Sequence, residues 1–154
     1  MISRAESAAL EGWISMEKKT ILVVGLGLIG GSLSMALQGF EDYEVVGAVR
    51  SQATYDKAVV HRAAHRVTMD GPAELPGADV VILNTCAIRE HAEQRVFGNL
   101  GALTHTKRRH PAQKIFLCGC MAGETKVSDR VRQSFPLVDG VFSTHHLWQF
   151  PEIL

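Results

Sequence analysis

The sequence predicts an α/β fold with a doubly wound, mostly parallel sheet and helices on both faces. Three observations lead to this prediction. Short apolar, β-branched runs alternate with helical patterns along the chain, no neighbouring runs are joined by a hairpin signal, and the first run is followed directly by a glycine-rich turn. Strand–helix alternation is typical of parallel sheets, in which right-handed crossovers place helices on both faces. The predicted architecture is therefore Rossmann-like.

Six strands are predicted from the apolar runs. A strand in the middle of a parallel sheet is covered on both faces, so it shows a continuous apolar run rather than strict alternation. Residues 79–84 give the clearest example. The predicted strands are 20–24, 44–49, 67–69, 79–84, 114–117 and 138–142.

The segments between these strands predict helices, because apolar residues recur there every three or four positions. The predicted helices are 32–39, 52–66, 87–106 and 124–135, with a short terminal turn at 145–150. Gly and Pro at 71–72 and 75–77 indicate loops. Residues 1–19 are predicted to be an N-terminal extension, and residues 20–154 a single domain.

Composition and charge restrict the class of partner. The 154 residues include 16 basic and 16 acidic residues, which gives a formal net charge of zero. A nucleic-acid partner is not expected for this chain alone, because a general binder needs a basic excess. The sequence contains no apolar run of about eighteen residues, so no membrane span is predicted. Three scattered cysteines do not form a disulfide framework, so the expected location is the cytoplasm.

The glycine-rich turn between the first strand and the first helix predicts a site for a dinucleotide. Its residues follow the pattern G-x-G-x-x-G and are Gly25, Leu26, Gly27, Leu28, Ile29 and Gly30. Gly25 allows a tight turn, Gly27 lets a pyrophosphate approach the backbone, and Gly30 lets the helix pack close to the strand. The helix N-terminus then faces the phosphates. The alternative is a glycine turn that serves only close packing.

The end of the second predicted strand favours NADP over NAD. An acidic residue there would accept a hydrogen bond from the ribose of NAD, but Val49 occupies the matching position. Arg50 and Ser51 follow, and a guanidinium pairs well with a 2′-phosphate. The alternative for Arg50 is a solvated residue at the start of a helix.

Residues 24–33, 45–51 and 77–83 resemble the opening of prephenate dehydrogenases. That resemblance implies an NAD- or NADP-dependent oxidoreductase that oxidatively decarboxylates prephenate. It also implies a substrate histidine in a His-Pro-Met segment and a following helical domain. These 154 residues contain neither, so the expected function is a dinucleotide-binding module that is catalytically incomplete on its own.

The second half of the chain resembles a different family. Residues 84–90, 96–98, 118–121, 138–142 and 144–152 are similar to the N-terminal domain of radical-SAM tRNA methylthiotransferases. The resemblance covers residues 78–154. It makes the alternative function an iron-sulfur-binding fragment of a tRNA-modifying enzyme.

This second resemblance implies three cysteines that hold an iron-sulfur cluster. Cys86 matches the second position, and Cys120 matches the third better than Cys118 does. The first position falls in the glycine-rich turn, which has no cysteine. Cys118 is the candidate substitute for that ligand. The alternative for each cysteine is a small apolar residue in the core.

The chain thus resembles a chimera, with a dehydrogenase-like part at 20–83 and a methylthiotransferase-like part at 78–154. Both families share the apolar pattern at 78–83, which would let one sheet continue across the join. Three functions follow: a dinucleotide-binding module, an iron-sulfur domain fragment, or a stable recombined or engineered chimera without a ligand.

Overall fold

A six-stranded parallel sheet runs through the centre of the protein. The structure is a computed structural model that describes residues 3–6, 17–85 and 91–154. Its strands are β1 (Lys19–Val24), β2 (Tyr43–Ala48), β3 (Arg66–Thr68), β4 (Val80–Thr85), β5 (Lys114–Gly119) and β6 (Gly140–Phe142). Every neighbouring pair is parallel, in the order β3-β2-β1-β4-β5-β6. This is the strand order of the Rossmann fold, so the predicted fold class is confirmed.

Helices pack on both faces of the sheet. They are α1 (Leu28–Leu37), α2 (Gln52–Val60), α3 (Gly71–Glu74), α4 (Ala92–Arg109), α5 (Thr125–Ser134) and α6 (Phe150–Ile153). Neighbouring residues of β1 enter two separate apolar clusters: Ile21 packs in the cluster that includes α1, and Leu22 in the one that includes α4 and α5. Alternate side chains of a strand point to opposite faces. Both faces are therefore covered, which explains the continuous apolar runs in the sequence.

The sheet continues across the join between the two resembled families. Leu83 of β4 lies opposite Val24 of β1 on one side and Leu117 of β5 on the other. Just before β4, the Asp79 amide donates to the Thr20 carbonyl at 2.9 Å, and the Lys114 amide donates to the Asp79 carbonyl at 2.8 Å. The strand that both families share is thus hydrogen-bonded to a strand from each part.

Two buried polar side chains support the loops that precede β4 and β6. Gln113 is 2% exposed, and its Nε2 donates to the carbonyls of Leu75 and Ala78, both at 2.8 Å. Lys107 at the end of α4 donates to the Leu137 carbonyl at 2.8 Å and pairs with Asp139. These bonds give the Ala78 and Leu137 carbonyls a partner outside any helix or strand, and they give the Leu75 carbonyl, which also accepts from the Ala78 amide at 3.3 Å, a second one.

The predicted helix 52–66 is wrong beyond residue 60. The helix ends at Val60, Arg62 has a φ of 50°, and a strand begins at Arg66. His65 is the physical reason, because its amide donates to the Val45 carbonyl at 3.0 Å while its Nδ1 accepts from the Val45 amide at 2.9 Å. This long-range pairing with β2 overrides the local helical pattern.

Other boundaries also differ from the prediction, including the last strand, which begins at Gly140 instead of residue 138. The loop predicted at 71–72 falls in α3, which Asp70 caps by accepting from the Ala73 amide at 3.3 Å, and the loop predicted at 75–77 is a 3₁₀ turn at Leu75–Gly77. The first helix begins at Leu28 instead of residue 32. Residues 87–90 of the helix predicted at 87–106, and most of the predicted extension 1–19, lie outside the described residues. Among the helices that the structure describes, none combines the length and apolar character needed to span a bilayer.

Candidate functional site

The candidate site lies at the carboxyl edge of the sheet, where β1, β4 and β5 end. The glycine loop, defined here as residues 25–30, leaves β1 and enters α1. The strand order reverses at β1, with β2 on one side and β4 on the other. Ligands of open α/β sheets bind in the crevice at such a switch point. The topology therefore brings the glycine loop and the ends of β4 and β5 to one edge.

Gly25 and Gly30 form the tight part of the glycine loop. Gly25 has a φ of 94°, a region that side chains disfavour, and its amide donates to the Ala48 carbonyl at 2.9 Å. A Cβ atom on Gly30 would lie 1.9 Å from the Gly25 carbonyl oxygen. The start of α1 is thus pressed against the turn, and only glycine fits at Gly30.

Gly27 is the open part of the same loop. A Cβ atom there would meet no heavy atom within 4 Å. Gly27 precedes the ten-residue helix α1, whose N-terminus has no side-chain cap and no acidic residue in its first turn. The first amides of a helix have no partner within the helix, and the dipole favours an anion there. The backbone is accessible at the point where the pattern predicts a pyrophosphate.

The apolar residues of the loop have different environments. Leu26 is 8% exposed and packs over β2, where a Cβ on Gly47 would lie 2.3 Å from the Leu26 Cδ1. Ile29 is half-buried, whereas Leu28 is 90% exposed. Leu26 therefore anchors the loop to the sheet, whereas the Leu28 side chain is exposed to solvent.

Arg50 and Ser51 are both exposed and follow the end of β2. The Gly25–Ala48 hydrogen bond brings the loop to the end of that strand. Ser51 is the N-cap of α2: its Oγ accepts from the Thr54 amide at 3.2 Å and lies 2.8 Å from the Thr54 Oγ1. Arg50 is thus available at the strand end, while the Ser51 hydroxyl is engaged in capping.

Asn84 links the glycine loop to β5, although neither sequence motif predicts it as a site residue. Its Nδ2 donates to the Gly25 carbonyl at 3.2 Å, and its Oδ1 accepts from the Cys118 thiol at 3.8 Å. Nothing local in the sequence indicates these contacts, since Gly25 is 59 residues away and Cys118 is 34 residues away. The one signal is a polar residue at the end of an otherwise apolar strand.

The cysteines are not equivalent. Cys118 is fully buried, and desolvation raises the pKa of its thiol to about 12. Cys120 is exposed, and its amide donates to the Thr85 carbonyl at 3.1 Å. Cys86 lies outside the described residues. Within the described ranges, no group of three or more His, Cys, Asp or Glu side chains is arranged to hold a metal ion.

Gly119, between the two cysteines, fixes their opposite environments. It has a φ of 104°, and a Cβ there would lie 2.1 Å from the Thr85 carbonyl oxygen. The Thr85 Oγ1 donates to the Cys118 carbonyl at 2.9 Å. This tight turn ends β5 with Cys118 inside the core and places Cys120 on the surface.

Comparison with solved structures identifies dehydrogenases as fold neighbours. A prephenate dehydrogenase from A. aeolicus, in complex with hydroxyphenyl propionate and NAD+, superposes with a TM-score of 0.53 at 16% identity. The superposed region covers 86% of this chain and 63% of the prephenate dehydrogenase chain. A short-chain dehydrogenase from Streptomyces avermitilis gives a TM-score of 0.51 at 15% identity, covering 84% and 64%. At these identities the likeness shows the fold alone.

Comparison with curated sequences identifies tRNA-modifying enzymes instead. A tRNA-2-methylthio-N(6)-dimethylallyladenosine synthase from Clostridioides difficile (strain 630) is 47% identical over 77 residues, which are 50% of this chain and 16% of the relative. The enzyme of the same name from Staphylococcus epidermidis (strain ATCC 35984) is 39% identical over 100 residues, covering 65% and 20%. The chain therefore spans about a fifth or less of the length of these relatives.

Both resemblances seen in the sequence are confirmed, one by fold and the other by sequence. The sequence relatives favour the methylthiotransferase-like alternative over the dehydrogenase-like one. A family model described as "Uncharacterized protein family UPF0004" matches residues 51–143, more than half of the chain, and the chain belongs to this family.

Proposed function

We propose that this chain is a dinucleotide-binding member of family UPF0004 that does not complete a reaction by itself. Sequence relatedness supports the family, and the geometry of the glycine loop supports the ligand. The observation that carries the proposal is the contrast within the loop: Gly30 is packed against the Gly25 carbonyl, whereas Gly27 faces open space. A loop that served only close packing would not need a glycine at its open position.

The glycine loop would bind the pyrophosphate of NADP or NAD. Gly27 permits close approach, and the first amides of α1 supply donors together with the positive end of the helix dipole. No acidic residue occupies the first turn to compete with the phosphate. The nicotinamide group would supply hydride chemistry when bound. The chain's own residues bind and orient the phosphates, and we assign none of them a catalytic role.

Arg50 would select NADP over NAD. It is exposed just beyond the end of β2, where the adenine ribose of a Rossmann-bound dinucleotide lies. The Ser51 Oγ already accepts from the Thr54 amide, so its contribution to a 2′-phosphate is smaller. We place the protein in the cytoplasm, because Cys118 and Cys120 are both free thiols.

Calorimetric titration with NADP, NAD and adenosine 2′,5′-bisphosphate tests this proposal. We expect NADP to bind about tenfold more tightly than NAD, since a charged hydrogen bond contributes about 1.5–3 kcal/mol. Arg50→Ala should remove that preference, while Arg108→Ala, a change at an exposed arginine in the last turn of α4, should retain it. No binding of any of the three at millimolar concentration would overturn the proposal.

The bisphosphate tests which half of the ligand contributes. The ends of β4 and β5 come from the methylthiotransferase-like part, and a dehydrogenase would place its nicotinamide there. We expect the bisphosphate to bind about as tightly as NADP, because the adenine side meets the intact loop and Arg50. Much tighter binding of NADP would show that the nicotinamide side contributes too.

An iron-sulfur cluster is the second candidate, favoured by the 47% identity to a tRNA methylthiolating enzyme. The described residues do not fit a three-thiolate set. The glycine loop has no cysteine, Cys118 is fully buried, and Cys120 is the exposed thiol. We expect anaerobic reconstitution to leave no bound iron and no visible absorbance. Bound iron in the wild type that is lost in Cys120→Ser would establish the cluster instead. If the protein binds neither NADP nor iron but melts cooperatively, it is a stable chimera without a ligand.

A further inference from the structure

The side chain of Asn84 lies beneath both ends of the glycine loop. Its Nδ2 donates to the Gly25 carbonyl at 3.2 Å and would lie 2.7 Å from a Cβ on Gly30. We propose that Asn84 is the positioning residue of the nucleotide site and holds the loop in its phosphate-binding shape. This inference rests on the proposed function and adds to it a residue that the methylthiotransferase-like part supplies.

Two partners fix the orientation of the Asn84 amide. The Gly25 carbonyl can only accept a hydrogen bond, so the Asn84 NH₂ group must face it. The opposite atom, Oδ1, faces the Cys118 thiol at 3.8 Å, and that thiol is a donor. Cys118 is itself held in β5, where its carbonyl accepts from the Thr85 Oγ1 at 2.9 Å. The amide is therefore held between the loop and a buried strand.

The direction of the Gly25 carbonyl decides whether the loop attracts or repels an anion. A carbonyl oxygen carries partial negative charge and would repel a phosphate, whereas amide hydrogens attract one. By donating to that oxygen, Asn84 keeps it toward the sheet. Glycine has more accessible backbone conformations than other residues, and Gly25 adopts a φ of 94°. The hydrogen bond from Asn84 therefore restrains the direction of the Gly25 carbonyl. The amides at the start of α1 then remain directed toward the ligand.

Asn84→Asp is the sharpest variant, because it keeps the shape and replaces the donor with an acceptor. An aspartate oxygen opposite the Gly25 carbonyl repels it and releases the loop. Asn99→Asp is the matched control, since Asn99 is exposed within α4. Asn84→Ala removes the donor without adding charge and serves if the aspartate variant does not fold.

Two measurements separate positioning from general stability. In calorimetric titration we expect Asn84→Asp to bind NADP at least tenfold more weakly than the wild type, and Asn99→Asp to bind unchanged. In hydrogen exchange without nucleotide, we expect amides of residues 25–31 to exchange at least tenfold faster in Asn84→Asp, while β1 and β5 stay protected. A structural role alone would instead raise exchange throughout the sheet.

The outcomes distinguish this inference from the proposed function. If the wild type does not bind NADP, the proposed function fails, and the exchange rates alone decide whether Asn84 holds the loop. If Asn84→Asp and Asn84→Ala both match the wild type in affinity and in exchange of residues 25–31, the positioning role is overturned.

Discussion

Replacing Gly30 with alanine is expected to destabilise the protein by about 3 kcal/mol or more, at the upper end of what overpacking costs. The new Cβ would lie 1.9 Å from the Gly25 carbonyl oxygen and 2.7 Å from the Asn84 Nδ2. The first of these neighbours is backbone, so it cannot move aside by changing rotamer. The start of α1 would have to separate from the end of β1. Urea unfolding followed by circular dichroism measures the loss.

Gly27→Ala is the matched comparison within the same loop. A Cβ at Gly27 meets nothing within 4 Å, and its φ of −71° is one that alanine readily adopts. We therefore expect a change in unfolding free energy of no more than about 0.5 kcal/mol, as for a substitution that creates no clash. NADP binding should nevertheless weaken, because the methyl group takes the space that the phosphate needs.

The pair of variants separates the packing and binding roles of the two glycines. Loss of stability in Gly30→Ala and loss of binding in stable Gly27→Ala would support both assignments. Equal stability of Gly30→Ala and the wild type would show that α1 does not pack as closely as the structure indicates. Unchanged NADP affinity in Gly27→Ala would place the phosphates elsewhere.

The sheet was predictable because burial leaves a direct signature in the sequence. β4 is covered on both faces, and each of its residues from Val80 to Leu83 is buried and apolar. The glycine loop was predictable for a similar reason, since its three glycines have a fixed spacing between a strand and a helix. Local patterns of this kind survive even where two families meet, because the strand at the join is apolar in both.

The end of α2 and the role of Asn84 were not predictable, because both depend on residues distant in the sequence. The two hydrogen bonds between His65 and Val45, one of them to the His65 imidazole, stop the helical pattern, and the partner is twenty residues away. Asn84 reaches Gly25 across 59 residues. This hydrogen bond joins two parts of the chain that resemble different families, so neither sequence motif predicts it. It is seen only in the folded structure, where β1 and β4 lie side by side.

Cys118 and Cys120 look alike in the sequence, separated by one glycine, but they differ completely in burial. Cys118 belongs to β5, in which the five residues from Ile115 to Gly119 are buried. Cys120 follows the turn at Gly119, outside the strand. The resemblance to methylthiotransferases made both candidate ligands. The burial of a particular strand end is set by the helices that cover it, and this tertiary information is absent from a two-residue spacing.

Raising the pH from 8 to 10.5 is expected to destabilise the metal-free, reduced protein through Cys118 by about 2 kcal/mol. Burial raises the pKa of the folded thiol to about 12, whereas an unfolded cysteine ionises near pH 8.5–9. Between these values the unfolded chain has lost a proton that the folded chain keeps. The unfolded state therefore binds fewer protons, and the free energy of unfolding falls as pH rises, by up to about 1.4 kcal/mol per pH unit.

Cys118→Ala and Cys120→Ala isolate this contribution from lysine and tyrosine groups that titrate over the same range. Urea unfolding at several pH values between 8 and 10.5 gives the slope for each protein. Cys118→Ala should start less stable, because it removes buried sulfur, but should lose less stability with pH than the wild type. Cys120→Ala changes an exposed thiol and serves as the control with which the slope of Cys118→Ala is compared. Parallel curves for all three proteins would mean that the Cys118 thiol ionises as easily in the folded state as in the unfolded chain, and that β5 does not shield it from solvent.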